Sequence, residues 1–296
     1  MQPNLTLSEI ARNPSESQRP DLWNQMPLAL LPVLGRQGNT IYNPAGRTNG
    51  ALDGTPSNWV TTHGRVAVEF NAADNGCIAV PHHDDYSTLP PGVTAAPGAL
   101  SWVWLVYRPA GQDIGWAKYQ THENPFMGEW SVWTWADFAH SMRWQILGHN
   151  PTTRIGITTT SAVPADQWVV TAGRYPGGIT GNSGADAMEI YFNGVLQGQS
   201  RLYNTSFTSH TNRGGIISIG TGLYEGAYAG RRDGHFGGLL VFPRRYLSVT
   251  EIRELSNDIL LPFRRRAVRP YWVVSETPSV FKPAWAAHNN TVIGAA

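Results

Sequence analysis

The stretch "SWVWLVYRP", residues 101–109, constrains this chain more than any other. In an extended strand Trp102, Trp104 and Val106 fall on one face, and Val103, Leu105 and Tyr107 on the other. A strand apolar on both faces needs cover on both, which places it in the middle of a sandwich. A second signal supports an antiparallel β architecture. In "AMEIYFNGVLQGQ", residues 187–199, Asn193-Gly194 separates two apolar runs. That dipeptide suits a type I′ hairpin turn, which needs positive φ at both central positions. Met188, Ile190 and Phe192 then share one face, opposite Glu189 and Tyr191.

The remaining punctuation agrees. Thirty-one glycines and 21 prolines are spread over 296 residues, so the chain reads as many short strands and loops with little helix. Predicted strands are 66–70, 77–80, 100–107, 130–135, 141–146, 154–159, 168–175, 188–192, 215–220 and 237–242. One helix is expected in "LSVTEIREL", where Ser248 and Glu251 form a capping box and Ile252, Leu255 and Ile259 an apolar stripe. Pro262 stops it. Residues 1–38 and 262–296 are set apart as terminal extensions of a domain spanning 39–261.

Composition bounds the function. With 41% hydrophobic and 15% charged residues the chain can bury a large core, and a net charge of +1 gives no field for nucleic acid. Lys118 and Lys282 are the only lysines against twenty arginines. Genome composition accounts for that bias, as does a use for bidentate, stacked contacts. Cys77 is alone and lies in the apolar run "CIAV", so a buried thiol is expected and no internal disulfide can form. The sequence shows no signal-peptide pattern and no run long enough to span a membrane.

From His63 onward the motifs, in order, resemble the laminin-G-like branch of the concanavalin A-like lectin/glucanase superfamily. They are "HGRVAVEFNAADNGCIAVP", "GALSWVWLVYRP", "QWVVTAGRY", "MEIYFNGVLQG", "GIISIG" and "FGGLLVFPRRYLSVTEIREL", covering residues 40 to 260. The resemblance implies an all-β jelly-roll sandwich of two antiparallel sheets with one short C-terminal helix. The fold hosts lectins, adhesins, hydrolases and inert modules alike, so function has to come from a site.

A catalytic site is not expected. Glycosidic cleavage needs two carboxyl groups flanking one bond, and the superfamily's Glu-x-Asp-x-x-Glu arrangement is absent. Asp186 and Glu189 would lie on opposite faces of a strand, and Glu123, Glu129 and Asp137 lack a spacing that pairs them. For a metal, "PHHDDY" at 81–86 leaves calcium open, with Asp84 and Asp85 as candidate ligands; a solvated loop explains them as well. Trp116, Trp130, Trp133 and Trp135 are candidate platforms for a sugar ring, whose C–H face packs on an exposed indole. The same rings also supply the bulk a long sandwich needs in its core.

The ending "RPYWVVSETPSVFKPAWAAHNNTVIGAA" resembles the ends of laminin-G-like proteins encoded by tailed bacteriophages. The expectation is therefore a non-enzymatic virion component, made in the host cytoplasm and mounted on the capsid or the tail, with glycans as further partners. Membrane and nucleic-acid partners are not expected, and homo-oligomerisation is left open. A polysaccharide depolymerase and a bacterial carbohydrate-binding module are the alternatives. Arg264, Arg265 and Arg266, with Pro270, Tyr271, Trp272, Phe281 and Trp285, are expected to dock on neighbouring subunits through ion pairs and buried aromatics.

Overall fold

Strand Leu100–Tyr107 is covered on both faces. The computed structural model describes residues 10–53, 58–70, 76–121, 127–135, 139–149, 153–202, 206–220, 222–224, 227–229 and 233–266. Within these, Leu100–Tyr107 lies between Trp168–Tyr175 and Gly234–Pro243 in an antiparallel front sheet. Glu189–Phe192 and Val195–Leu196 extend that sheet on one side, Arg65–Phe70 and Asn58–Thr62 on the other, and Leu28–Leu30 pairs with Gly234–Pro243. The back sheet runs Gln199–Arg201, Arg154–Ala162, Ser141–Leu147, Met127–Trp135, Gly115–Thr121, Ile216–Ile219, Cys77–Val80, Gly50–Asp53, Thr40–Ile41 and Arg36–Gln37. Two large antiparallel sheets face to face are the expected all-β sandwich.

The two faces of Leu100–Tyr107 belong to different cores. Trp102, Trp104 and Val106 pack between the sheets with Trp116, Trp130, Val132 and Trp144. The indoles meet edge-to-face: Trp102 on Trp116 at 5.8 Å, Trp102 on Trp144 at 5.7 Å and Trp116 on Trp130 at 4.8 Å between centroids. Val103 and Leu105 point the other way, into a second core with Leu22, Trp23, Ala29, Leu31, Ile252 and Leu255. The molecule thus has a third layer on the outer face of the front sheet, built from the N-terminal segment and helix Val249–Asn257.

The local signals hold in detail. Asn193 and Gly194 have φ of 48° and 79°, and Asn193 Oδ1 accepts from Val170 N–H at 2.9 Å, tying the turn to the next strand. Ser248 and Glu251 close both halves of the capping box. Cys77 is fully buried, and burial pushes its thiol up to about 12.

The expected boundaries at 38 and 261 need correction. Residues 28–30 form a strand of the front sheet, and Leu22, Trp23 and Met26 are core residues. At the other end Phe263 is buried against Trp23, with ring centroids 4.8 Å apart. The two segments are also joined through the backbone: Ala11 N–H donates to Phe263 O and Gln18 N–H to Arg264 O, each at 2.9 Å, and Arg266 N–H donates to Glu16 O at 2.6 Å. Arg19 and Arg245 brace this layer from beneath, meeting Asp21 and Glu251. Replacing Phe263 by Ala leaves a cavity in this seam and is expected to lower stability by about 3–5 kcal/mol, read from the urea midpoint.

Candidate functional site

A group of partly exposed aromatic side chains lies on the front sheet. Cross-strand register lines up Trp168, Tyr107, His235, Glu69 and Asn58 in one row over five strands. Residues directly opposite in antiparallel strands share a face, so these side chains stand side by side. Tyr107, Trp168 and His235 are each partly exposed. His235 meets the Tyr107 ring edge-to-face at 5.0 Å, and Trp168 meets it at 5.8 Å. His63 stacks on Tyr107 at 4.8 Å with an interplanar angle of 16°. Arg65 lies over the Trp168 ring, 5.9 Å from its centroid.

Two local devices make this row. His63 and Gly64 have φ of 48° and 74°, so a tight turn between Asn58–Thr62 and Arg65–Phe70 swings the imidazole over Tyr107. In strand Gly234–Pro243 the register slips between Phe236 and Gly238. A Cβ at Gly237 would sit 2.8 Å from the Leu105 side chain and 2.9 Å from Trp168 Cζ3. Glycine there leaves room for the Trp168 indole against the strand.

Beside the row a cleft of about 340 Å³ is lined by Glu69, Pro109, Gln112, Asp233 and His235. His235 Nε2 stands 3.6 Å from Glu69 Oε1. Burial pushes the His235 imidazole below the ordinary histidine value, against the pull of the Glu69 carboxylate. Trp168 Nε1–H and His235 Nδ1 are buried and have no hydrogen-bond partner among the described residues. Aromatic faces next to carboxylate, amide and imidazole groups are the combination that holds a sugar ring and its hydroxyls.

The tryptophans expected as platforms stand elsewhere. Trp116 and Trp130 are 2% and 0% exposed and fill the inter-sheet core, so they offer no face to a ligand. Trp133 is partly exposed on the side of its strand opposite Val132, and Gly115 leaves room for its Cβ. The Trp135 side chain lies outside the described residues. Asp84 and Asp85 do not converge as calcium ligands. Asp84 is bound by His82 and Asn212, whereas Asp85 pairs with Arg47 at 2.7 Å. Arg264 is taken by Asp258 within its own chain, and Arg265 lies 3.8 Å from Glu16, so these two are committed to the fold before any partner. Arg266 is joined to the N-terminal segment through its backbone. Pro270, Tyr271, Trp272, Phe281 and Trp285 lie outside the described residues.

Asp186 ends a short helix, Gly181–Asp186, rather than lying in a strand, and it pairs with Arg201 while Glu189 pairs with Arg174. Glu129 is locked into the end of the inter-sheet core. Its Oε1 accepts from Lys118 Nζ, from Ser87 Oγ at 3.0 Å and from Arg213 N–H at 3.3 Å. The Lys118 and Glu129 side chains are 0% and 1% exposed. His210, equally buried, turns Nε2 toward Glu129 Oε2 at 3.6 Å, and its Nδ1–H donates to Leu147 O at 2.9 Å. Burial pushes Lys118 down to about 7 and His210 down to about 4.

No family profile matches this sequence, and no curated protein does. Solved structures do match in fold. The binding domain of Paraclostridial Mosquitocidal Protein 1 superposes with a TM-score of 0.54 at 12% identity, over 81% of this chain and 53% of that one. The binding domain of botulinum neurotoxin DC in complex with SialylT gives 0.52 at 12% identity, over 80% and 52%. The serotype D/C VPI 5993 binding domain gives 0.53 at 11% identity, over the same shares. The chain thus spans about half the length of these domains, and the likeness shows the fold, a two-sheet β-sandwich.

The buried cluster sets a pH dependence. An unfolded chain binds a proton at His210 near 6.5, whereas the folded one resists until about 4. Stability from this residue is therefore complete above pH 6.5 and falls as pH drops toward 4, by about 3 kcal/mol in all. Urea midpoints measured across this window should fall steeply for the native chain and less steeply for His210→Gln.

Proposed function

We propose that this chain is a non-enzymatic, laminin-G-like sandwich module that binds glycans through the Tyr107–Trp168–His235 row and is mounted on a bacteriophage particle. The row carries the glycan reading: three partly exposed rings stand side by side, and His235 joins them to a cleft whose walls bear Glu69, Gln112 and Asp233. A neurotoxin binding domain of the same fold was solved with SialylT bound, and that precedent supports reading the exposed rings as a sugar face. The mounting on a particle rests on the likeness of residues 269–296 to the ends of phage laminin-G-like proteins, and its partners are other capsid or tail proteins. Trp168→Ala is expected to weaken glycan binding by about tenfold or more on a glycan array and in titration, measured well below the variant's melting temperature, since the ring also packs on the outer core. A mass-spectrometric inventory of purified virions tests the mounting: presence at defined stoichiometry supports it, and absence removes it.

A depolymerase is the second reading, because Glu69 and Asp233 stand on the walls of one cleft. The surroundings of Glu69 argue against it. Its side chain is 45% exposed beside His235, whereas a general acid needs an apolar pocket that keeps its proton near neutral pH. Incubation with capsular and extracellular polysaccharides is expected to release no reducing ends. Release that is lost in Glu69→Gln would establish the enzyme instead.

A further inference from the structure

A second cleft, of about 410 Å³, opens where helix Pro20–Asn24 meets the loops that carry Arg47, Asp85 and Arg244. Its size falls in the range of small-molecule sites, roughly 300–1,000 Å³. Within it Arg47 is neutralised by Asp85 at 2.7 Å, and among the described residues no other carboxylate lines the walls. Arg244 makes no ion pair and no side-chain hydrogen bond among the described residues, so the cleft keeps one unbalanced positive charge. The side-chain amides of Asn24 and Gln25 on the same wall are likewise without partners among the described residues.

The backbone at Arg244 is a separate observation. Its φ is 64°, a left-handed conformation that glycine adopts at no cost and a long side chain does not. Pro243 is buried just before it, and Arg244 N–H is held by Ala99 O at 2.6 Å. The strand end is thereby fixed in a conformation that favours glycine, and the exposed Arg244 stands there on the wall of the cleft. Strain of this kind is found where a side chain is needed in one place.

We propose that this cleft is a second ligand site, taking a sugar that carries a carboxylate, such as a uronate. The planar guanidinium of Arg244 pairs with the carboxylate through two parallel N–H donors. Asn24 and Gln25 each offer a donor and an acceptor, which matches neighbouring ring hydroxyls. An acidic peptide would supply the carboxylate but no hydroxyls for those amides. The site does not rest on the aromatic row, and either can fail alone.

The test is a titration of the full chain, followed by calorimetry and by NMR, with a glucuronate-bearing disaccharide and with its neutral glucose counterpart. The acidic sugar is expected to bind at least about tenfold more tightly than the neutral one, and more weakly at high salt. Arg244→Gln is expected to weaken it by about tenfold or more. Arg244→Gly removes the same charge while suiting the left-handed backbone; it should lose uronate binding while melting no earlier than the native chain. Equal affinity for the two disaccharides, no binding of either, or unchanged affinity in both variants would each overturn the proposal. So would a short oligoglutamate that binds more tightly than the uronate, since the site would then be one for acidic peptides.

Discussion

The whole molecule is arranged around the need to cover both sides of Leu100–Tyr107. Each of its large side chains gains roughly 1.5–3 kcal/mol from leaving water, but only if there is something to pack against in both directions. The back sheet answers one face with a cage of indoles, and the N-terminal segment with helix Val249–Asn257 answers the other. Once both are in place the strand is locked in register with its neighbours from Leu100 to Tyr107. The aromatic row is a partly open part of that lattice, at the strand's last residue, Tyr107.

Much of this was legible from residues alone, for identifiable reasons. Alternation in "SWVWLVY" and "MEIYF" needs no knowledge of partners, since the period of two is a property of the strand itself, and the burial of Ile190 and Phe192 against the inner core follows it. Asn193-Gly194 and the Ser248–Glu251 box are equally local: Phe192 pairs with Val195 directly across the turn, and the hydrogen bonds of the box close within three residues. Leu28–Leu30 was not legible as a strand: three buried residues among prolines carry no period, and only pairing with Gly234–Pro243 makes them one. The turn at His63-Gly64 was hidden for a different reason, since histidine is not a usual first residue of a type I′ turn.

The candidate site was harder to see than the fold because it depends on register between strands distant in sequence. Trp168 and Tyr107 become neighbours only when two strands sixty residues apart are aligned, and His235 joins them only through the slip at Gly237. Clustering of tryptophans along the chain pointed instead to residues 116–135, where proximity in sequence reflects core filling by adjacent strands. Lys118 and Glu129 illustrate the same limit. The pairing of their two strands slips next to Lys118, so simple alternation gives no warning that opposite charges meet inside the core.

The seam between residues 10–18 and 262–266 has a mechanical meaning. Ile10 bridges Arg264 and Ser17 bridges Arg265, both antiparallel, so the C-terminal segment is gripped between two separate stretches of the N-terminal one. A load that drew them apart would be borne by these few backbone hydrogen bonds. The central strands, held in parallel by long ladders on both edges, would feel the same load in shear and resist it collectively. Tension on this module would therefore open the outer layer first, baring Trp23 and Phe263, while the sandwich and its aromatic row remained intact.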